Sequence, residues 1–315
     1  METEKPDFWK NLEKAKIIQK EISDLEKGIK NWSDLETEAQ NLLNLIDSKD
    51  AAEKFKSLEL KFNKLELQTF LSGKYDKNNA LLTISSGVGG RDAQDWASML
   101  LRMYIRYAES KDWQVAVLHE SYSEEGGIKS ATLEVRGSYA YGYLKNEAGV
   151  HRLVRISPFS PNKLRHTSFA ALEVLPEIEA KDVEIKPEDL RIDTFRSSGA
   201  GGQNVNKRET AVRITHIPTG IAVAVQTQRS QPQNREKAMQ ILASKLHALQ
   251  LKKEEGELAK IKKIKKSAEW GSQIRSYVLH PYKMVKDHRT EYETSQVEKV
   301  LDGDLEEFIE AELKG

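Results

Sequence analysis

From Ala15 onward, apolar positions return every three to four places. Ala15, Ile18, Ile22, Leu25, Ile29 and Trp32 form one stripe, and Leu35, Ala39, Leu42 and Ile46 extend it. After a polar break at Asp47–Asp50 the stripe resumes at Phe55, Leu58, Phe62 and Leu65. This period puts an apolar face on each of two helices and predicts a helical hairpin, with the stripe as its packing seam and the polar remainder solvated.

From Ala80 the pattern changes. ALLTIS reads as a strand, Gly87, Gly89 and Gly90 as a turn, and Trp96, Met99, Leu100, Met103 and Tyr107 recur at helical spacing. WQVAVLHE, IKSATLEVRG, HRLVRIS and TSFAALEVLP follow as strand-like runs bounded by turns, which predicts one helix on a mostly antiparallel sheet. The acidic, proline-flanked stretch Pro176–Pro187 reads as a connector. Beyond it, LRIDTFRSS and TGIAVAVQTQ are strand-like, with Ile221, Val223 and Val225 on one face. A long helix is expected from Asn234 to about Lys266, apolar at Ala238, Ile241, Leu242, Leu246 and Leu249. SAEWGSQIRSYVLHPY resumes a strand pattern and DLEEFIEAEL closes the chain as an acidic amphipathic helix. The fold class is therefore α+β and multidomain.

Length and composition agree with that reading: 315 residues, 38% hydrophobic and 31% charged, describe a globular chain of several domains. No run is apolar enough for a membrane span, no leader pattern is visible, and the cytoplasm is the expected location. The chain holds no cysteine, which excludes disulfides and thiolate chemistry. Net charge is zero, but the charges are segregated. Arg196–Lys266 carries 15 basic against 5 acidic residues, and Glu291–Gly315 carries 9 acidic against 2 basic. One region is thus suited to a polyanion, with nucleic acid the leading candidate.

Familiar catalytic patterns are missing: there is no HExxH, GxSxG or P-loop, and the seven histidines have no metal-ligand spacing. No metal or cofactor is expected. In GVGGRDAQ the glycines open a helix after a strand, which suits either an ordinary turn or a backbone site at a helix N-terminus. SSGAGGQNVNKRET, Ser197–Thr210, is more specific. Gly199, Gly201 and Gly202 ahead of Gln203 let backbone N–H groups approach a reacting centre as no residue with a Cβ could, and such a donor can stabilise a developing oxyanion. A flexible glycine linker is the plainer alternative. Arg196, Lys207, Arg208, Arg213, Arg229 and Arg235 surround the loop, and the lysines from Lys252 to Lys266 follow it, as phosphate contacts or as a solvated helix face. Upstream, His151–Phe169 holds basic residues and no acidic ones. Ser157, Pro158 and Phe159 open a loop there that His166 and Thr167 close, with side chains able to stack on or read unpaired bases. A hairpin tip with Phe159 buried fits the same residues.

With GGQ at Gly201–Gln203 and SPF at Ser157–Phe159, the chain resembles the bacterial peptide chain release factors, from about Pro6 to its C-terminus. SPF is typical of the members that read UGA and UAA. The resemblance implies a helical domain over 1–79 and a codon-recognition domain over 80–182, completed by 267–315. A GGQ domain is inserted between them over 183–266. It implies that Ser157, Pro158 and Phe159 discriminate the second purine, that His166 stacks on the codon and that Thr167 contacts the third base. Backbone groups of Gly89, Gly90 and Asp92 would recognise the first uridine; Asp92 stands where members more often carry Glu.

Gly201, Gly202 and Gln203 would act on the peptidyl-tRNA ester, with the Gln203 N–H stabilising the oxyanion or leaving group and its side chain placing water. The protein is then active only together with the ribosome, not as a stand-alone enzyme. Its expected partners are the ribosomal decoding and peptidyl transferase centres, the mRNA stop codon, P-site peptidyl-tRNA and a glutamine methyltransferase that modifies Gln203 at N5. It is expected to be a monomer off the ribosome, with no membrane partner. The segment around Trp270 matches the switch between the two functional domains. Members of this type also carry a further helix ahead of the stretch matching Lys5–Lys10, and this sequence is expected to begin after it. Two other readings share parts of the pattern: a stalled-ribosome rescue factor with the same GGQ chemistry, and a non-catalytic RNA-binding protein.

Overall fold

The computed structural model describes residues 12–44, 50–123, 126–178, 185–195, 210–227, 230–261 and 273–314. The chain divides into two compact units, Met1–Ser72 and Gly73–Gly315. The architecture is mixed α/β and multidomain, helices plus a large mixed sheet.

The first unit is a hairpin of α1 (Leu12–Leu43) and α2 (Ala51–Phe70). Leu35 is buried in it, and Trp32 meets Phe62 edge-on with ring centroids 6.3 Å apart. The apolar stripe is only partly a seam, however: Ile29 is 71% exposed, Phe55 58% and Phe62 42%. A pair of helices covers one narrow seam, and a stripe wider than that leaves residues outside it.

The second unit begins with β1 (Ala80–Ser86), α3 (Gly90–Ser110), β2 (Gln114–Tyr122) and β3 (Ile128–Arg136). The short α4 (Ala140–Leu144) and a 3-10 turn at Lys145–Glu147 lead to β4 (Gly149–Ile156) and β5 (Arg165–Pro176). Next come β6 (Leu190–Phe195), β7 (Ala211–His216), β8 (Ile221–Val225) and α5 (Gln231–Ile261). The chain ends in β9 (Gln273–Val278), β10 (Met284–Asp287), β11 (Glu293–Thr294), α6 (Val297–Leu301) and α7 (Glu306–Lys314). Eight strands form one sheet in the order β11-β10-β9-β4-β5-β1-β3-β2, antiparallel except for β4 with β9. The helical-period residues of α3 are its core face: Trp96, Leu100 and Met103 are fully buried and Tyr107 nearly so. A parallel neighbour cannot be joined by a tight turn, so β9 reaches β4 only from far along the chain.

β6, β7 and β8 form a separate antiparallel sheet, covered by α5. The helix starts three residues earlier than its periodicity suggests because Pro232 suits a first turn, where its missing N–H costs nothing. Ala238, Ile241 and Leu242 pack with Val212, Ile214, Val223 and Val225, and the same cluster takes in Leu81, Leu118 and Leu175 of the large sheet. Lys237 of α5 is buried there between Glu134 and Glu177. Lys245 lies 3.2 Å from Glu173. These two lysines belong to the basic run of the sequence, yet they spend their charge on carboxylates of the large sheet.

A buried ionic network fastens the C-terminal strands to the rest of the sheet. Arg275 on β9, fully buried, donates to Glu147 through both terminal nitrogens, at 2.7 and 2.6 Å, and through Nε to Asp287 at 3.1 Å. The Tyr104 hydroxyl donates to Glu147 at 2.9 Å. Burial would raise Glu147 and Asp287, but the Arg275 and Arg289 guanidiniums and their hydrogen bonds outweigh it; Asp287 falls to about 2 and Glu147 below its ordinary value. His151 on β4 lies against Glu147, Tyr104 and Tyr277, with Nε2 donating to the Glu147 carbonyl at 3.1 Å.

Burial first, and then the Arg275 charge, push the His151 pKa down from 6.5 to about 4. The unfolded chain therefore binds the His151 proton first on acidification. Stability is expected to fall as pH drops from 6.5 to 4, by about 3 kcal/mol, with no further loss from this group below that. Urea unfolding across this range measures the slope, and His151→Gln should remove its histidine part. An unchanged slope in the variant would mean that His151 is not the titrating group.

Candidate nucleic-acid interface

The β4–β5 hairpin places the SPF tripeptide. Ile156 pairs with Arg165, and the Ser157 N–H donates to the Leu164 carbonyl at 3.0 Å, so residues 157–164 form the tip. Two further turns fold this tip, from Ser160 N–H to the Ser157 carbonyl at 3.4 Å and from Lys163 N–H to the Ser160 carbonyl at 3.0 Å. Lys163 takes φ 49, the left-handed geometry a tight reversal requires. Ser157 is buried, Pro158 and Thr167 are exposed, and Phe159 is half-buried. Phe159 is thus less enclosed than a plain hairpin tip implies; the Arg91 guanidinium lies over its ring, 4.3 Å from the centroid.

The glycine turn before α3 comes to the same place. Gly87 N–H donates to the Phe169 carbonyl at 2.8 Å and Phe169 N–H to the Val88 carbonyl at 3.1 Å, which ties the turn to β5. A Cβ on Gly87 would lie 2.8 Å from that Phe169 oxygen. Gly89 has φ 136, and a Cβ there would press on Ser168 and Ala93 at 3.2 Å, so glycine is required on both counts. Gly89 is the N-cap and provides no side-chain cap, which leaves the first N–H groups of α3 facing outward without an intrahelical partner.

Asp92 joins the two elements. It is 5% exposed, and its Oδ2 accepts from the Ser157 hydroxyl at 2.7 Å and from His166 Nδ1 at 2.8 Å. Oδ1 lies 3.5 Å from Arg155 Nη2, which also reaches Asp95. Burial alone would raise the Asp92 carboxyl; the bonds from His166 and Ser157 and the Arg155 charge outweigh it and hold the pKa below its ordinary value. Asp92 therefore stays an anion that accepts two hydrogen bonds, from Ser157 and His166. The Ser157 Oγ also accepts from Phe159 N–H at 3.1 Å, so one carboxylate orients Ser157, Phe159 and His166 together.

Ser157, Phe159, His166, Gly89, Gly90 and Asp92 thus meet at the hairpin end of the central strands β4 and β5, with Thr167 beside them. Gly201, Gly202, Gln203 and Trp270 lie outside the described residues. The described ends of the GGQ segment are adjacent, because Phe195 and Ala211 are register partners on β6 and β7. Sequence reasoning passed over Arg91, Arg155 and Asp95. Asp92 and Asp95 are three apart at a helix start, one turn on the same face, and that spacing was the available signal. Among the described residues no cluster of potential metal ligands occurs, and no helix is long and apolar enough to cross a membrane.

Comparison with known proteins gives two domain families in tandem: a PCRF domain over residues 1–172 and an RF-1 domain over residues 177–289. A protein of Thermosipho africanus named peptide chain release factor 2 is 52% identical over 316 aligned positions, covering 98% of this chain and 86% of the relative. A protein of the same name from Thermomicrobium roseum is 50% identical over 98% of this chain and 85% of its own length. Among solved structures, RF2 of Thermus thermophilus matches with a TM-score of 0.77 and 46% identity, over 98% of this chain and 90% of that one.

Proposed function

Starting from its membership of the peptide chain release factor family, we propose how this chain divides stop-codon-dependent release of the nascent peptide between two loops. Its activity is translation termination, with hydrolysis of peptidyl-tRNA on the ribosome. The β4–β5 hairpin reads UGA and UAA. Ser157 and Phe159 contact the second base, His166 stacks on the codon, Thr167 meets the third base, and the outward N–H groups at the start of α3 meet the first uridine. Unpaired bases suit this arrangement because their edges and faces are open to hydroxyls, backbone donors and rings.

The loop between β6 and β7 carries Gly201, Gly202 and Gln203 into the peptidyl transferase centre. There the Gln203 N–H stabilises the charge that develops as water attacks the ester, its side chain places the water, and RNA hydroxyls move the proton. A glutamine methyltransferase acts on Gln203. The segment around Trp270 links the β6–β8 layer to β9 and rearranges when a stop codon is read. The protein works on ribosomes in the cytoplasm.

The observation that carries this reading is Asp92, a buried carboxylate that fixes Ser157 and His166 at 2.7 and 2.8 Å. Release measured on ribosomes with UGA, UAA, UAG or a sense codon in the A site tests it. Release is expected on UGA and UAA alone. Asp92→Asn keeps the shape but weakens both charge-assisted bonds, and should lower kcat/KM for UGA by about tenfold. Release at every codon would instead assign a rescue factor, and an unaltered Asp92→Asn would remove the positioning role.

A further inference from the structure

A cavity of about 260 Å³ lies between the large sheet and the layer of β7, β8 and α5. Its floor is polar and formed by half-buried residues of the large sheet. Leu81 of β1 joins the hydrophobic cluster, but the next two residues on the same face are Thr83 and Ser85. They pair in register with Thr132 and Ser130 of β3, so four hydroxyls form a square facing the cavity. Only one contact binds them to each other, Thr83 to Thr132 at 3.5 Å, which leaves their donor capacity largely unspent.

The opposite wall carries positive charge. Arg213 of β7 lines the cavity with its guanidinium on the Phe195 ring, 5.3 Å from the centroid, and no carboxylate pairs with it among the described residues. Lys245 of α5 enters from the side, shared with the half-exposed Glu173. His119 of β2 completes the wall, and its Nδ1 is buried with no hydrogen-bond partner. Burial and the Arg213 charge lower the His119 pKa and keep the ring neutral at neutral pH, able to donate from one nitrogen. The carboxylate nearest that ring, Glu120, accepts from the Tyr122 hydroxyl at 2.6 Å. Unspent donors, two cations and a buried orphan nitrogen around one space describe a site for an oxyanion.

We propose that this cavity binds a phosphate group, free or as the terminal group of a nucleotide, held by Arg213, Lys245 and His119 over the Thr83, Ser85, Ser130 and Thr132 hydroxyls. A bound phosphate bridges the large sheet and the β6–β8 layer, and so stabilises their packing by mass action.

Isothermal titration calorimetry on the full chain tests this with potassium phosphate and with ATP in separate runs, each against potassium chloride at equal ionic strength; thermal unfolding is followed in parallel. Saturable heat and a midpoint that rises with ligand concentration are expected. The tighter ligand of the two identifies the source of the phosphate. Arg213→Gln combined with Lys245→Gln should weaken binding at least about tenfold. Ser130→Ala with Thr132→Val changes no charge and should weaken it about threefold, which keeps the test decisive if the charge variant folds poorly. Lys283→Gln, at an exposed surface pair with Glu298, should leave it unaltered. A response no larger than that to chloride, or equal binding by wild type and the hydroxyl variant, would overturn the proposal.

Discussion

Gln203→Pro is expected to lower peptide release at a UGA codon by about 10²–10³-fold while binding to the stop-codon ribosome is retained. Proline removes one backbone donor, and the magnitude is that of losing a single preorganised N–H from a developing oxyanion, about 3–4 kcal/mol in a water-poor site. On the proposed role the preceding glycines would let the donor come close enough, since Gly201 and Gly202 have no Cβ to hold the chain away from the ester. Gln203→Ala keeps the N–H and changes only the side chain, so its loss should stay within about tenfold. Single-turnover release from pre-bound complexes separates the two. Equal loss in both variants would move the catalytic burden from the backbone to the side chain, and equal loss of binding would show that the loop serves association instead.

Glu147→Gln is expected to cost about 3–5 kcal/mol of stability, a large share of what a domain of this kind possesses. The substitution is nearly isosteric, but it leaves Arg275, fully buried, facing a neutral amide where it had two bonds to a carboxylate. Asp287 remains as a partner at 3.0 Å and limits the loss. Because β9 pairs with β4, whose end carries the SPF hairpin proposed to read the codon, the variant should also lose codon-dependent binding at temperatures where its other parts stay folded. Denaturant midpoints followed by fluorescence provide the first measurement, and release assays at two temperatures the second. Glu147→Leu with Arg275→Met removes both charges and should cost less than the two single changes added together, since the penalty lies in stranding one charge. A fully additive pair would contradict this account of the network.

Much of the chemistry was legible in short stretches. SPF and GGQ are tripeptides that mark the family whatever surrounds them, although their residues alone also fit a hairpin tip and a glycine linker, and the α3 face and the strand alternation followed from period alone. The role of Asp92 was not. The resemblance assigned only backbone groups at Asp92, where members more often carry Glu, whereas the structure shows its carboxylate buried and bonded to both Ser157 and His166. Those partners lie 65 and 74 residues away, beyond any local pattern. The basic run was similarly ambiguous: it suggested a continuous polyanion surface, but Lys237 is enclosed by Glu134 and Glu177, and Arg213 lines a cavity.

By itself the sequence determined the kinds of element, the absence of cysteine chemistry, and the two motifs that identify the family. These depend on residue type and on spacings within a turn or a strand pair, which covalent geometry transmits directly. Tertiary structure alone decided that β9 lies parallel to β4 and that Arg275 closes a network with Glu147. It also decided that the β4–β5 hairpin and the glycine turn share one carboxylate, and that a hydroxyl-bearing face of the large sheet lines a cavity beside the β7–β8 layer. Each of these joins residues far apart in the chain, where the gain comes from burial and charge pairing that no local segment can supply.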